Sequence, residues 1–364
     1  MSTTVADWSV REGFNLVLCI AVLTNCLSLV GIGGAYSFRS IAHRHFWLLT
    51  TLVTILWLPL AIALLPRWFY PNFCLPVLTD SPNWSWIEAA GAAYAQTTDE
   101  DNPVQFSPLF WLGLLLVCLG WLIGVIPSLA RVMWGWAKLK RVRLNGTLYR
   151  LPKRTSAFLK KKYQVRRLPE VILCGSIQNA VAVGIFRPQI IVQRRLVHEL
   201  SSKQLCDVLD HEMAHVVRRD CLVMFLEQVA RACHWCNPLL RWLCNELARS
   251  REQMCDNTVL VQRPATAYGE TLLRVAELSL GSSLSRRVLA MLSGWSDLRW
   301  RIRSILDPGQ LRTMAVGRWS AFAMIAGIGF CGWLVGGISF TPERVQEITL
   351  PRSEPHAELV ETDR

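Results

Sequence analysis

The sequence predicts an α-helical polytopic membrane protein with about four transmembrane helices and a cytoplasmic α+β domain between the third and the fourth. The 364 residues are 52% hydrophobic and include 16 tryptophans, a composition richer in apolar residues than that of most soluble domains. Four apolar runs are long enough to cross a bilayer as helices. A long basic segment separates the last two runs, which indicates a folded domain on one side of the membrane.

The four predicted spans lie at residues 16–36, 46–65, 109–129 and 319–340. The first is too long, and lies too far from a small-residue cleavage site, to be a removable signal peptide. The alternative is that one or two spans are buried core helices. It is disfavoured for the first and the fourth span, and none of the four contains a charged residue.

Opposite charges on the connecting segments predict the orientation of the spans. Residues 130–318 hold 32 Lys and Arg against 14 Asp and Glu, whereas the loop at residues 66–106 holds one arginine against five acidic residues. Because excess Lys and Arg mark the cytoplasmic side, we expect both termini outside. The basic run at residues 138–167 is typical of contact with anionic membrane lipids. No nucleic-acid-binding motif accompanies it, so we expect no direct nucleic-acid partner.

The predicted regions are a membrane region with three spans, a cytoplasmic domain, a fourth span and an outside tail, at residues 1–130, 131–318, 319–340 and 341–364. The 12 cysteines do not predict a disulfide framework, because most lie in spans or in the reducing cytoplasm. Cys233 and Cys236 have the spacing of a metal or redox pair. Because the sequence has no second such pair, we expect these two cysteines to pack as ordinary side chains and not to bind a metal or form a redox pair.

The cytoplasmic domain is expected to combine helices with short strands. Residues 131–167 mix basic and apolar residues and predict helical linkers. Three β-like runs bounded by Gly and Pro follow, at residues 170–174, 180–184 and 189–193. Ser201 or Ser202 can then cap a helix, and Asn237-Pro238 is typical of the start of a later one.

The second β-like run predicts a surface for an extended polypeptide. A small sheet can bind a peptide by adding it as a further strand through main-chain hydrogen bonds. We expect Val181, Val183 and Gly184 to form this substrate strand.

The helix that follows the strands carries His211-Glu212-Met213-Ala214-His215. Histidines four residues apart lie one turn apart on a helix, so both imidazoles can reach one metal ion from the same face. A glutamate directly after the first histidine can reach the attacking water and act as general base. The pattern is typical of zinc peptidases, and it predicts Zn²⁺ as cofactor, His211 and His215 as ligands, and Glu212 as the catalytic residue.

A catalytic zinc needs a third protein ligand. The best candidate is Glu252, with Glu246 as the competing candidate. Because Glu252 and Asp256 are four residues apart, they face one side of a helix. Asp256 could therefore hold the free N–H of a ligating imidazole. The alternative is that both carboxylates pair with Arg249, Arg251 or Arg218.

Together these residues resemble a known family. His211-Glu212-x-x-His215 is followed by Asp220, by His234-Trp235-Cys236-Asn237-Pro238 and by Glu252-x-x-Cys255-Asp256, and residues 183–192 add a strand segment with glycine and proline. The combination is similar to the BlaR/MecR-type metallopeptidases (peptidase family M56), the antirepressor proteins of bacterial β-lactam resistance. The similarity covers residues 168–306 closely, and the four spans agree with the family in number and orientation.

The resemblance implies a gluzincin-type fold in which His211, His215 and Glu252 hold one zinc ion and Glu212 is catalytic. It places Asp220 among the residues that support the ligands. It also implies a location in the bacterial cytoplasmic (inner) membrane. There the protease would transduce a signal by cleaving a cytoplasmic protein such as a BlaI/MecI-like winged-helix repressor.

Members of this family also cut themselves between the protease motifs and the last span. Ser285-Arg286-Arg287 is the candidate position here, with an exposed dibasic loop as the alternative. A homodimer is a further expectation that the sequence leaves open.

BlaR-like receptors carry a penicillin-binding sensor domain outside the membrane. This chain ends 24 residues after Phe340, and its tail has no Ser-x-x-Lys pattern, so we expect it to lack that domain. The signal would then enter through the loop at residues 66–106, where Trp84 and Trp86 offer an apolar patch, or through a separate sensor protein.

Two other functions compete with this interpretation. A non-enzymatic membrane signalling or scaffold protein could keep a vestigial zinc site, but such a site tends to lose the general base. An HtpX-like quality-control protease shares the helix motif and a Glu-x-x-x-Asp element. The His-Trp-Cys-Asn-Pro segment and Cys255 favour the antirepressor family.

Overall fold

The computed structural model describes residues 4–64, 73–74, 108–279, 298–307, 316–336 and 338–339. Most of these residues are helical. The helices are α1 (Thr4–Ser37), α2 (Ile41–Leu64), α3 (Pro108–Leu144), α4 (Lys153–Tyr163), α5 (Arg194–Glu199), α6 (Ser202–Val217), α7 (Asp220–Cys233), α8 (Pro238–Leu260), α9 (Ala265–Ser279), α10 (residues 298–306) and α11 (Arg318–Gly336).

The described strands form two sheets. The strands are β1 (Phe73–Cys74), β2 (Thr147–Tyr149), β3 (Glu170–Cys174), β4 (Val181–Val183), β5 (Gln189–Gln193) and β6 (Ile338–Ser339). β1 and β6 pair in parallel. The larger sheet has the order β2-β3-β5-β4, in which β3 and β5 are parallel and the outer strands are antiparallel to their neighbours. β4 therefore lies at an edge of this sheet.

The observed elements match the predicted β-like runs and helix starts. β3, β4 and β5 coincide with the three predicted strands, whereas β2 was not predicted. Ser201 caps α6 and exchanges hydrogen bonds with Gln204, and Asn237 caps α8 with Pro238 in its first turn. These starts are thus confirmed.

The first and third predicted spans fall within helices, and the second and fourth do so for most of their length. Two stretches of the described residues, Ile20–Ser37 in α1 and Leu119–Arg143 in α3, are long and apolar enough to cross a membrane by length and composition. The total of four transmembrane helices stays a prediction. α3 continues without a break through Leu144, so the predicted boundary at residue 130 lies inside a helix.

One core joins the first half of α8 to α1 and α2. Leu240, Leu243 and Leu247 are fully buried on one face of α8, because residues three and four apart lie on the same side of a helix. They pack in a cluster that includes Leu27 of α1 and Leu52 of α2. One hydrophobic core therefore contains helices from both the predicted membrane region and the predicted cytoplasmic domain.

The turn between α7 and α8 also contacts α3. Trp121 Nε1 donates a hydrogen bond to the Cys233 carbonyl oxygen at 3.1 Å. Trp235 packs directly over Gly124, where a Cβ atom would lie 2.0 Å from its ring. A glycine at this position allows the close approach of the turn to α3.

A second core holds α6 against the larger sheet. Leu205, Val208, Leu209 and Met213 of α6 are buried with residues of β3, β5, α4 and α5. α6 also contacts β4. This packing holds α6, which carries His211 and His215, beside β4 at the edge of the sheet.

Candidate metal centre

Three predicted metal ligands lie together between α6 and α8. The Nε2 atoms of His211 and His215 are 3.2 Å apart. The carboxylate oxygens of Glu252 lie 3.5 Å from His211 Nε2 and 3.6 Å from His215 Nε2. Two ligands of a tetrahedral zinc ion, each at about 2.0 Å from it, are about 3.3 Å apart. The observed separations therefore fit one metal ion.

The second ring nitrogen of each histidine faces a buried carboxylate. His215 Nδ1 lies 2.8 Å from Asp220 Oδ2, and His211 Nδ1 lies 3.1 Å from Asp256 Oδ1. Both aspartates are almost fully buried. A carboxylate at Nδ1 retains the proton there and leaves Nε2 free to bind a metal. The two rings are thus oriented as ligands of one site would be.

Two further residues of this cluster were not predicted from the sequence. The Tyr268 hydroxyl donates to Asp256 Oδ1 at 2.7 Å and lies 3.1 Å from His211 Nδ1. Arg301, on α10, donates to both Asp256 oxygens, at 2.9 and 2.5 Å, and lies 3.5 Å from Glu252 Oε2. Tyr268 and Arg301 thus connect α9 and α10 to the candidate ligands.

Helical periodicity contained a signal for both residues. Tyr268 lies four residues before Leu272, and Arg301 lies four residues before Ile305, so each shares a helix face with an apolar residue of the same core cluster. A buried tyrosine hydroxyl usually has a hydrogen-bond partner, and an arginine that is mostly removed from water usually pairs with an anion.

The charged groups shift one another's pKa values. Burial alone would lower the pKa of His211, but hydrogen bonds to Asp256 and Glu252 raise it to about 10. Burial would raise the pKa of each carboxyl group, but Arg301 beside Asp256 lowers the pKa of that aspartate to about 2. The hydrogen bond with His211 likewise holds the pKa of Glu252 well below its ordinary value. The two carboxylates therefore carry negative charge at neutral pH.

A cavity of about 290 Å³ opens at this cluster. Glu212 lines it together with both histidines and Glu252, and residues 179–182 along β4 form another wall. Among the described strands β4 pairs with β5 alone, so no described strand covers its other edge, although the Ala182 carbonyl oxygen already accepts a hydrogen bond from the Cys221 thiol at 3.4 Å. A polypeptide added at this edge would pass the candidate metal centre.

Val181 lines this cavity, and the other two residues of the predicted substrate strand lie beyond it. Val183 ends β4, and Gly184 follows with a φ of +96°. A Cβ atom at Gly184 would lie 2.5 Å from the Arg187 carbonyl oxygen, so the turn at this position requires glycine.

The competing ligand candidate lies elsewhere. Glu246 pairs with Arg44 of α2 and, at 2.7 Å, with Arg249. It does not line the cavity.

The alternative partners of Glu252 and Asp256 are also engaged elsewhere. Arg251 donates to Glu227 at 2.5 Å, and Arg218 lies 3.3 Å from Asp220. The arginine that pairs with both carboxylates is Arg301.

Other sequence features lie apart from the site or outside the description. Cys233 and Cys236 have free thiols and do not line the cavity. The proposed self-cleavage residues Arg286 and Arg287 lie outside the described residues, as do Trp84 and Trp86 of the loop.

The chain is similar to known regulatory and resistance proteins. It is 25% identical over 192 residues to the regulatory protein BlaR1 of Bacillus licheniformis, an alignment that covers 51% of this chain and 32% of that protein. It is 26% identical over 107 residues to the methicillin resistance mecR1 protein of Staphylococcus aureus, which covers 29% of this chain and 18% of the relative. The chain thus spans about a third or less of the length of these relatives.

A family model described as BlaR1 peptidase M56 matches residues 16–305. The match runs from α1 to α10 and contains every residue of the cluster around His211, His215 and Glu252. This chain therefore belongs to the BlaR1 peptidase M56 family.

Proposed function

We propose that this protein is a membrane zinc metalloendopeptidase with a gluzincin-type fold, in which His211, His215 and Glu252 hold one Zn²⁺. The observation that carries the proposal is the set of three donor separations between 3.2 and 3.6 Å. Two imidazoles and one carboxylate are a ligand set of catalytic zinc, and they leave a fourth position for water or substrate.

The residues of the cavity have different roles in peptide hydrolysis. When bound, zinc polarises the scissile carbonyl and lowers the pKa of water to about 7. Glu212, which is 8% exposed, takes the proton from the attacking water and delivers it to the leaving amine. Asp220 and Asp256 hold the imidazoles in orientation. The β4 edge aligns the substrate as an added strand.

The substrate class follows from the relatives. Because these are regulatory and resistance proteins, we propose a cytoplasmic substrate such as a BlaI/MecI-like repressor, cleaved at the bacterial inner membrane. Of the basic residues at 138–167, Lys162 pairs with the buried Asp210, and exposed ones such as Lys153, Lys160 and Lys161 would contact membrane lipids. Self-cleavage at Arg286-Arg287, a separate sensor protein and a homodimer belong to the same proposal.

The experiment is a proteome-wide map of new protein N-termini in host cells that express wild type or Glu212→Gln. New termini found with wild type alone would support peptidase activity, and their sequences would identify the substrate or a self-cleavage site. Identical maps, with zinc bound to both purified proteins, would contradict it and favour a non-enzymatic signalling role.

A further inference from the structure

A larger groove continues from the catalytic cavity. It has a volume of about 1210 Å³ and lies between α3, α7 and the β4 edge. Val181, Ala182, Cys221 and Met224 line both the cavity and the groove. A chain that lies along β4 past Glu212 therefore enters this groove without leaving the protein surface.

The floor of the groove is apolar. Met133 and Trp136 of α3 face Phe225 and Ala232 of α7. The Trp136 and Phe225 rings meet edge to face, with centroids 5.5 Å apart, which holds the two helices in register at this position. Such a floor suits apolar side chains of an extended polypeptide.

The walls of the groove are strongly basic. No described Asp or Glu is among the residues that line it. Five arginines from α3, α7, α8 and the loop after β4 do line it: Arg131, Arg143, Arg187, Arg231 and Arg241.

Within the part of the chain that the structure describes, the hydrogen bonds of these arginines go to neutral acceptors. Arg231 also lies near the Glu227 carboxyl group, whose pKa burial raises and the charge of Arg231 helps to lower. Arg231 donates to the Asn245 amide oxygen at 3.0 Å, and Arg131 donates to the Pro127 carbonyl oxygen and the Ser128 hydroxyl. None of the five forms an ion pair with a described Asp or Glu. Positive charge grouped in this way attracts an acidic ligand.

We propose that this basic groove binds the segment of the substrate next to the scissile bond, and that this segment carries acidic and apolar side chains. The inference rests on the proposed peptidase function, because the occupant enters from the catalytic cavity. A polypeptide fits better than a lipid headgroup, since all three residues of β4 line the groove and the groove continues into the cavity that Glu212 lines. The groove thereby sets substrate specificity beyond the residues at the metal centre.

The test measures binding separately from catalysis. The full chain carrying Glu212→Gln is loaded with zinc in detergent and titrated with two fluorescent peptides. These have the same length and apolar residues, with glutamates in one and lysines in the other. The acidic peptide should bind about tenfold more tightly or better, an advantage that shrinks as salt screens the charges.

Variants assign the preference to the groove. Adding Arg187→Glu and Arg241→Glu should weaken binding of the acidic peptide about tenfold. Arg154→Glu, at an exposed position that lines neither the cavity nor the groove, should leave the binding unchanged. Thermal unfolding of each variant establishes that it is folded.

Equal binding of the two peptides, or unchanged acidic-peptide binding by the double variant, would overturn the inference. It would also be overturned if the peptides bound alike while phosphatidylglycerol co-purified with the Glu212→Gln protein and not with the double variant, because the occupant would then be a lipid. Cleavage of both peptides by wild type at equal rates would leave the peptidase function standing and remove this specificity. If the acidic peptide bound more tightly through these arginines but wild type cleaved neither peptide, the basic groove would stand as a binding site and the peptidase function would be contradicted.

Discussion

The His45 imidazole, on α2, lies 3.2 Å from the Arg218 guanidinium at the end of α6. The other His45 nitrogen lies 3.0 Å from the Ser250 hydroxyl on α8. Arg218 in turn contacts Asp220, whose second oxygen lies 2.8 Å from His215 Nδ1. A continuous chain of polar contacts therefore joins a predicted transmembrane helix to a candidate metal ligand. These contacts link the position of Asp220, and through it that of His215, to α2.

Replacing His45 should weaken zinc binding from a distance. In His45→Leu, the buried polar groups of Arg218 and Ser250 lose a partner, which costs about 1–3 kcal/mol of unfolding free energy. Asp220 is then held less firmly, and we expect up to about tenfold weaker zinc binding in competition titrations. His45→Gln, which keeps hydrogen-bonding groups, should recover part of the affinity. Wild-type affinity in His45→Leu would show that α2 does not act on the site.

Asp256 should contribute to zinc affinity without touching the metal. Asp256→Asn removes the negative charge that faces His211 Nδ1, so we expect zinc affinity to fall about 10–100-fold. Tyr268→Phe removes one hydrogen bond to Asp256 and should have a smaller effect. The exposed substitution Glu270→Gln on α9 is the control. An Asp256→Asn protein with wild-type zinc affinity would contradict the role assigned to this carboxylate.

Arg301 should stabilise the zinc-free protein more than the zinc-bound protein. Without zinc, Arg301→Met removes the two hydrogen bonds that Arg301 donates to the buried Asp256 and leaves protonated His211 as the cation beside it, so we expect a loss of about 1–3 kcal/mol in unfolding free energy. Bound zinc supplies positive charge beside Glu252, so the loss should be smaller with zinc present. Arg303→Met changes an exposed arginine of the same helix and serves as the control. Equal destabilisation with and without zinc would contradict this account.

Zinc binding should release a proton from His211. Because the pKa of His211 is raised to about 10 without a metal, its ring is protonated at neutral pH, and the proton must leave before Nε2 can bind zinc. Lowering the pH should therefore weaken zinc binding, by about tenfold per pH unit for one displaced proton. Calorimetry in buffers of different ionisation enthalpy measures the release. Identical binding enthalpies in all buffers would rule it out.

The sequence predicted the candidate ligands because local spacing determines their geometry. His211 and His215 share a helix face whatever the rest of the fold does, and Ser201 and Asn237 begin helices through local hydrogen bonds. Glu252 was favoured over Glu246 on motif grounds, and the structure places Glu252 alone of the two beside the histidines.

The residues that the sequence did not reveal depend on long-range packing. Arg301 lies 45 residues beyond Asp256, and Tyr268 lies 57 residues beyond His211, so no local pattern joins these pairs. The core shared by α8, α1 and α2 was missed for a similar reason. Net charge distinguishes residues 130–318 from the predicted spans. It does not show that the apolar face of α8, within those residues, packs against α1 and α2.

The most direct test of the metal centre is the zinc content of the purified 364-residue chain, measured by mass spectrometry after dialysis. Wild type, Glu212→Gln and Glu246→Gln should each retain one zinc ion per chain, whereas Glu252→Gln should lose most of it under the same conditions. Retention by Glu252→Gln together with loss by Glu246→Gln would contradict the site proposed for this protein.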